Sequence, residues 1–563
     1  MGWLVCWSSE RDDLPRRLTI WAGVVGLALA ACAGPPEGTA SPAATGDTST
    51  ESPTEWSGET RDVPADYPTI QAAVDAATPG DLILIDRGVY RESVDVKIPG
   101  LTIRGVDRNE VVIDGEFERE NGIQVIFTDG VVVENLTTMN HKLNGVFWSG
   151  VRGYRASYVT AINNGDYGIY AFDSSDGLFE NSYASGSPDA SFYIGQCNPC
   201  DAVITDSIGE YSGLGYSGSN ASTNIYIVDN IFRYNGTGVA PNSLDGELLP
   251  PAENVVVAGN LIYENGYEEF PHKNAQWATQ GIGIAMAGTV DSLVVKNRVV
   301  NHPLNGIQVF PNVDANVWMP ANNVVSTNAV EGSGLADLAL TGPSGSGNCF
   351  AHNEYGWTMP PALEVTQACS DLRFPALWEL GALSAQFGRV IERGLGLDID
   401  VFYGDMPRPP DQPQMPGGVG AEVAPAVDVL AGAEPDLNEI GTPAMPIDLD
   451  VNQRKGFNIM GVTFATAFGA LVGLYAYVLP LVLYAAWVVI AVWEIITRRE
   501  DLSRGAGIVW ILVILIVPFL GVIAYYLFGK SRIPVAYRWV LLLGGMGAYL
   551  VFLALGLVLG GVV

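Results

Sequence analysis

Gly145-Val-Phe-Trp148, Gly168-Ile-Tyr-Ala171, Ser191-Phe-Tyr-Ile194, Gly213-Leu-Gly-Tyr216, Gly236-Thr-Gly-Val239, Gly281-Ile-Gly-Ile284 and Gly306-Ile-Gln-Val309 are seven apolar runs that each open on glycine or serine. Their intervals are 23, 23, 22, 23, 45 and 25 residues. The 45 is nearly two pitches and contains an insertion. Between them lie partner runs that end in asparagine, such as Val131-Val-Val-Glu-Asn135, Gly177-Leu-Phe-Glu-Asn181, Val255-Val-Val-Ala-Gly-Asn260 and Leu293-Val-Val-Lys-Asn297. Runs of three to five residues are too short for helices, and this spacing is too regular for a sandwich. Asn and Gly tolerate the left-handed backbone of a sharp corner, and stacked Asn side chains can hydrogen-bond along a ladder. One turn buries too little to stand alone, so stacking supplies the core. The pattern predicts an all-β solenoid, a single-stranded right-handed parallel β-helix with turns of about 23 residues, over residues 64–370.

Outward from the repeats, Tyr67-Pro-Thr-Ile70-Gln-Ala-Ala73-Val74-Asp-Ala-Ala77-Thr-Pro79-Gly80 has the apolar spacing of a short helix stopped by Pro-Gly, suited to cap the open solenoid end. With Leu82-Ile-Leu-Ile85, Gly88-Val-Tyr90 and Leu101-Thr-Ile-Arg-Gly105 it resembles the opening of pectin-lyase-like β-helix proteins, which include pectin methylesterases, polysaccharide lyases and NosD-type copper-maturation proteins. The resemblance implies the fold and a relation to carbohydrate or to another exported protein. It does not fix an activity, because one fold hosts many functions.

The chain has 563 residues, 61 Asp plus Glu against 29 Lys plus Arg, a net charge of −32 and a pI near 4.3. That balance excludes a general nucleic-acid binder, which needs a basic face. At the N-terminus, Arg11, Arg16 and Arg17 precede an apolar run from Leu18 to Ala31, which reads as a signal peptide over 1–31. Leu29-Ala30-Ala31-Cys32 resembles a bacterial lipobox, which implies lipidation of Cys32. Residues 33–63, rich in Gly, Pro, Ser, Thr and Glu, read as a disordered tether.

An amphipathic helical segment over 371–397 and a Pro/Gly/acid-rich linker over 398–456 lead to a C-terminal α-helical domain over 457–563. Residues 506–529 and 539–563 carry no charge, and 456–496 carries only Glu494, so spans are expected near 469–496, 506–529 and 539–563. Leu481 to Ile495 and Trp510 to Lys530, with Pro518, Gly521, Tyr525, Tyr526 and Phe528-Gly529-Lys530, resemble the N-terminal hairpin of cardiolipin synthases and other phospholipase D-like enzymes. In that family chemistry belongs to His-x-Lys-x4-Asp motifs, which this chain lacks, so the resemblance implies an anchor alone. The expected location is the cell membrane, with the solenoid on the extracytoplasmic side. Such a compartment permits disulfides, and Cys197–Cys200 and Cys349–Cys369 are the expected pairs.

The known catalytic signatures of the fold, the methylesterase Asp motifs and Gly-His-Gly, are missing. What remains is a strip expected on neighbouring turns of one side: Trp148, Tyr193, Gln196, Tyr216, Asn220 and Asn242 as sugar-binding groups, since aromatic faces stack on sugar C–H faces and amides pair with hydroxyls. Asp173, Asp245, Glu247, His272 and Lys273 are candidate acid–base groups. Asp173, Asp176 and Asp189 are candidate ligands should calcium be a cofactor, although their spacing matches no known loop. The sequence thus supports a membrane-anchored β-helix that binds envelope or extracellular polysaccharide, with processing as a lyase or glycoside hydrolase a further expectation. The alternative is a NosD-like accessory scaffold without chemistry.

Overall fold

Three parallel sheets run the length of the solenoid in the computed structural model, which describes residues 58–271, 273, 278–370, 373, 401–415, 434–451, 486–497, 502–516, 520–529, 531, 533–539 and 543. Sheet A has twelve strands, from Thr60–Val63 to Cys349–Ala351; sheet B has eleven, from Gly88–Tyr90 to Glu354–Tyr355; sheet C has eleven, from Val94–Val96 to Thr358–Met359. Each turn visits A, then B, then C, and neighbouring strands of these three sheets pair in parallel one turn apart, while Asn312–Val313 and Val317–Trp318 form a separate antiparallel hairpin. This is a parallel β-helix. It begins at Thr60, which pairs with Leu82, so the first strand falls in what reads as tether.

The interior is built by strand alternation, which sends every second side chain inward. On sheet A, Ile103, Val133, Ala156, Phe179, Ile204 and Ile227 stack in register and are fully buried. The expected cap forms over Ile70–Asp75: Thr69 accepts the Ala72 N–H at its N-cap, and Ile70, Ala73 and Val74 face the core. At the other end the short helix Leu363–Thr366 lies across the last turn with Leu363 buried, and the Cys349–Cys369 bond ties it there. Cys197 and Cys200 are also bonded to each other.

The asparagines after sheet A form a continuous side-chain ladder. Nδ2 of Asn230 donates to Asn260 Oδ1 at 3.1 Å, Asn260 to Asn297 at 2.9 Å, Asn297 to Asn328 at 2.9 Å, and Asn328 to Asn353 at 2.9 Å. Asn353 donates to Glu364 Oε1 at 2.8 Å, so the closing helix satisfies the last rung. Each amide also takes a backbone N–H, which leaves the corner's buried polar groups paired.

The 45-residue interval is a single turn: Val239 pairs directly with Ile284. Two insertions fill it, 241–251 between sheets C and A and 264–281 between sheets B and C. Residues 401–415 and 434–451, expected within a linker, lie against the solenoid. Gln412 and Asn109 exchange hydrogen bonds, and Met415 N–H donates to Asn135 Oδ1. Tyr226 donates to Glu434, Ile440 packs with Val203, Val228 and Ala258, and Lys296 Nζ donates to the carbonyls of Leu437 and Ile440 at 2.7 and 2.9 Å.

Near the C-terminus, helical residues 486–497, Arg504–Ile516 and Leu520–Phe528 pack through Trp487, Ala491, Ile514, Val522 and Tyr525. Buried Glu494 accepts from Ser531 Oγ at 2.6 Å and Tyr525 OH at 3.1 Å. Among the described residues no helix is long and apolar enough to cross a membrane. The signal peptide, Cys32, most of the tether, nearly all of the 371–397 segment, and most of the spans at 469–496 and 539–563 lie outside the described residues.

Candidate functional site

The outer face of sheet C carries the chemistry. In Val146–Ser149 the side chains of Val146 and Trp148 point inward, so Phe147 points out. Phe147 pairs with Tyr170 and Tyr170 with Tyr193, one turn apart each time. Their rings form a column, with centroids 5.1 Å apart for Phe147–Tyr170 and 4.7 Å for Tyr170–Tyr193. Tyr167, at the corner before this sheet, closes the cluster at 4.4 Å from Tyr170 and 5.1 Å from Tyr193. Gly195 follows Tyr193 on the same face, and a Cβ there would lie 2.3 Å from the Tyr193 hydroxyl. Glycine is therefore what lets that ring lie along the strand.

Charge flanks the rings on both sides. At the B-to-C corner Lys273 pairs with Asp166, stands 3.0 Å from Asp189 and sits 5.0 Å over the Tyr167 ring. Burial works against the Lys273 charge, but the two aspartates outweigh it and hold its ammonium above the ordinary range. Burial raises Asp166 despite its lysine. At the C-to-A side Tyr193 OH donates to Glu247 Oε2 at 2.6 Å. Burial and the nearby Asp189 charge push Glu247 up to about 7, against the pull of the Tyr193 hydrogen bond. A carboxyl poised there exchanges its proton near neutrality, which is the property a general acid or base needs. Burial also raises the Tyr170 and Tyr193 hydroxyls, so both stay protonated donors.

Several expected site residues do other work. Trp148 and Tyr216 are fully buried inside the solenoid and cannot meet a ligand; Tyr193, though on the outer face, is itself covered to 1% exposure, so it backs the half-exposed Tyr167 and Tyr170 rather than offering a ring face. Tyr193 pairs with Ser217, a 24-residue step, so Tyr216 falls opposite inward-facing Phe192. One added residue moves a side chain to the other face. Gln196 and Asn220 build the site's wall. Gln196 Oε1 accepts Leu248 N–H at 2.8 Å, and Asn220 Nδ2 donates to the carbonyls of Leu244 and Glu247, both at 2.9 Å. They fix the 241–251 insertion and so aim Glu247.

Asn242 faces outward at the strand end and donates to Ala240 O. Asp245 is committed to the Asn316 N–H, which holds its carboxyl low, and lies outside the cluster. Asp173 and Asp176 sit at the C-to-A end of sheet C, where Asp176 pairs with Arg152, whereas Asp189 sits at the B-to-C end with Lys273. The three aspartates do not converge, and among the described residues no group of three or more His, Cys, Asp or Glu is placed to hold a metal. His272 lies outside the described residues. Asp166, Tyr167 and Tyr170 are site residues that the sequence reading missed, although the 23-residue step from Phe147 through Tyr170 to Tyr193 marks the column.

Residues 485–530 match the family model described as Phospholipase_D-nuclease N-terminal. No curated protein matches the chain. Solved structures similar to the solenoid include the A-module of the Azotobacter vinelandii mannuronan C-5 epimerase AlgE4, at 15% identity over 51% of this chain and 90% of that one with a TM-score of 0.39. They also include an alginate lyase from Paenibacillus sp. str. FPU-7 (16%, 54% and 96%, 0.32) and PfbA, a surface adhesin of Streptococcus pneumoniae (13%, 51% and 86%, 0.36). At these values the likeness carries no argument about activity, which rests on the chain's own residues. The described solenoid is a parallel β-helix, and residues 485–530 resemble the Phospholipase_D-nuclease N-terminal family.

Proposed function

We propose that this chain is a membrane-held β-helix on the extracytoplasmic side that binds a polysaccharide on the outer face of sheet C. The observation that carries this reading is the half-exposed Tyr167–Tyr170 pair, backed by buried Tyr193 and set between a Lys273–Asp166–Asp189 network and a Glu247 carboxyl poised near 7. Aromatic faces suit the C–H faces of sugar rings, and the surrounding hydroxyls and carboxylates suit sugar hydroxyls. Glu247 with the Tyr193 hydroxyl gives the same face the means for proton transfer, so a lyase or hydrolase activity is the second step of the proposal. Uncharged residues 506–529 and 539–563, each longer than the ~20 residues a span needs, support the anchor, as does the resemblance of Leu29–Cys32 to a lipobox.

The test uses the full chain in detergent micelles against neutral, amino-sugar and uronate polysaccharides, with binding read by calorimetry and released fragments by mass spectrometry. The reading expects at least one polysaccharide to bind, and Tyr170→Ala to weaken that binding tenfold or more. Fragments with unsaturated ends would mark a lyase, hydrated ends a hydrolase, and binding without fragments a lectin-like role. Failure of every class to bind would sink the carbohydrate reading and leave the scaffold for another exported protein.

A further inference from the structure

One column of backbone positions follows eight successive sheet B strands, from Thr137–Met139 to Ala329–Glu331, at the corner into sheet C, and all eight have a left-handed φ: Asn140, Asn163, Gly186, Tyr211, Tyr234, Glu264, Asn301 and Gly332. Asn and Gly are the residues that backbone favours; a bulky side chain there is strained. Tyr211 (φ 52°) and Tyr234 (φ 54°) nevertheless occupy it on two successive turns. Their rings stack at 5.3 Å and 21° and stay half-exposed. Tyr267 meets them edge-on, 5.5 Å from Tyr211 and 6.4 Å from Tyr234. Arg233 lies 5.5 Å over Tyr234 and pairs behind the rings with Glu210.

This platform adjoins the site already described. Asp166 and Tyr167 occupy the same corner two turns before Tyr211, and Asp189 one turn before it. At the ~4.8 Å spacing of neighbouring strands the stretch from Tyr167 to Tyr234 covers about 14 Å. One insertion spans it: Tyr267 N–H donates to Asn235 O at 3.2 Å, and six residues on, Lys273 N–H donates to Pro188 O at 3.2 Å. The segment that brings Tyr267 to the stacked rings thus also delivers Lys273 to Asp166 and Asp189.

We infer that Tyr211, Tyr234 and Tyr267 form a second sugar-binding surface, taking a further unit of the glycan held at Tyr167 and Tyr170, so that the polymer lies lengthwise along the B-to-C corner. The inference rests on the polysaccharide reading above. Strained aromatic pairs at adjacent turns, half-open and continuous with an aromatic site, are what a ligand longer than one sugar requires.

The test measures dissociation constants of the full chain in detergent for disaccharides and hexasaccharides of three series: a neutral β-glucan, a β-linked N-acetylglucosamine polymer and a uronate polymer. Wild type should bind the hexasaccharide of one series at least tenfold tighter than its disaccharide. In the double variant Tyr211→Asn/Tyr234→Asn that ratio should collapse to within threefold, and in Tyr211→Phe/Tyr234→Phe it should persist. The Asn pair restores the residue that the corner backbone prefers, so its thermal midpoint should not fall. Tyr158→Asn removes another tyrosine with left-handed φ, at the opposite corner, and should keep the wild-type ratio. An unchanged ratio in the Asn pair, with hexasaccharide still bound, overturns this inference and spares the first site. Failure of wild type to bind any oligosaccharide overturns the polysaccharide reading itself.

Discussion

Glu247→Gln separates a poised carboxyl from a merely buried one. In the folded chain this carboxyl is pushed from its ordinary 4.5 to about 7, first by burial and then by Asp189. The folded state therefore holds a proton that the unfolded chain releases between those two values. By linkage, the stability this group contributes is fully present below pH 4.5, declines above it, and is lost as pH rises through 7. At ~1.4 kcal/mol per pH unit the whole swing is about 3 kcal/mol. Gln has no proton to lose, and its carbonyl can still accept from Tyr193 OH. Guanidinium unfolding of the full chain, followed by circular dichroism at pH 4, 5.5, 7 and 8.5, should show variant and wild type within about 0.5 kcal/mol at pH 4, growing to about 3 kcal/mol in the variant's favour by pH 8.5. Asp166, which is also raised, is common to both proteins and cancels in the difference. A difference that stays flat with pH would refute the assignment of a neutral-range carboxyl to Glu247.

Three further outcomes follow from the same geometry. Asn297→Ala leaves the Asn260 backbone N–H without its acceptor inside the ladder, while the Asn260 side-chain amide keeps the Ile227 and Ala258 carbonyls; at ~1–3 kcal/mol for a buried orphan it should cost about 2 kcal/mol in denaturant titration, and Asn353→Ala at the half-open end clearly less. Lys273→Met leaves Asp166 and Asp189 without their shared cation, so the Asp166 carboxyl, already raised by burial, rises further. Its deficit against wild type should be small at pH 4 and reach about 1 kcal/mol by pH 8 after solvent screening, read from thermal midpoints. Lys296→Met removes the ammonium that holds the Leu437 and Ile440 carbonyls; hydrogen exchange over 434–441 should quicken at least tenfold while the sheet A strands keep their protection.

The sequence made the strands legible because a parallel β-helix repeats its glycine and asparagine corners in register, and those two residues are constrained by backbone geometry. The ladder from Asn230 to Asn353 is the same signal read through side chains. Which face a residue occupies was harder to read. A 23-residue step from Tyr193 leads to Tyr216, but the true step there is 24, so Tyr216 turns into the core. No composition or periodicity marks a single added residue. Lys273 and Glu247 were within reach as residue types, but their partners Asp166 and Tyr193 lie 107 and 54 positions upstream in the sequence. Residues 401–415 and 434–451 escaped for a different reason. Many of their contacts use backbone carbonyls, at Gln412, Leu437, Ile440, Pro443 and Asp450, which accept from Asn109, Lys296, Arg298 and Asn301. Carbonyls leave no trace in a side-chain pattern, and Pro-rich acidic composition reads as solvent-facing linker.

The place of the site on the solenoid has its own physical cause. Regular turns present a nearly flat outer face, on which a ligand would be covered from one side only. Enclosure needs chain that leaves its own turn, and the turn between Val239 and Ile284 supplies both excursions. The 241–251 segment carries Glu247 back two turns to Tyr193, clamped by Asn220 and Gln196, while 264–281 carries Lys273 back three turns to Asp189 and four to Asp166. Both point toward the N-terminal end, and the aromatic column stands between their tips. Glu247 and Lys273 reach their partners through a hydrogen bond and ion pairs, while the 264–281 segment is also anchored by fully buried Phe270 beside Gly236, so the two tip residues can be altered while the solenoid stays folded. On the proposed polysaccharide reading, sheet C serves as the floor of the site, and its two walls are insertions of a single turn.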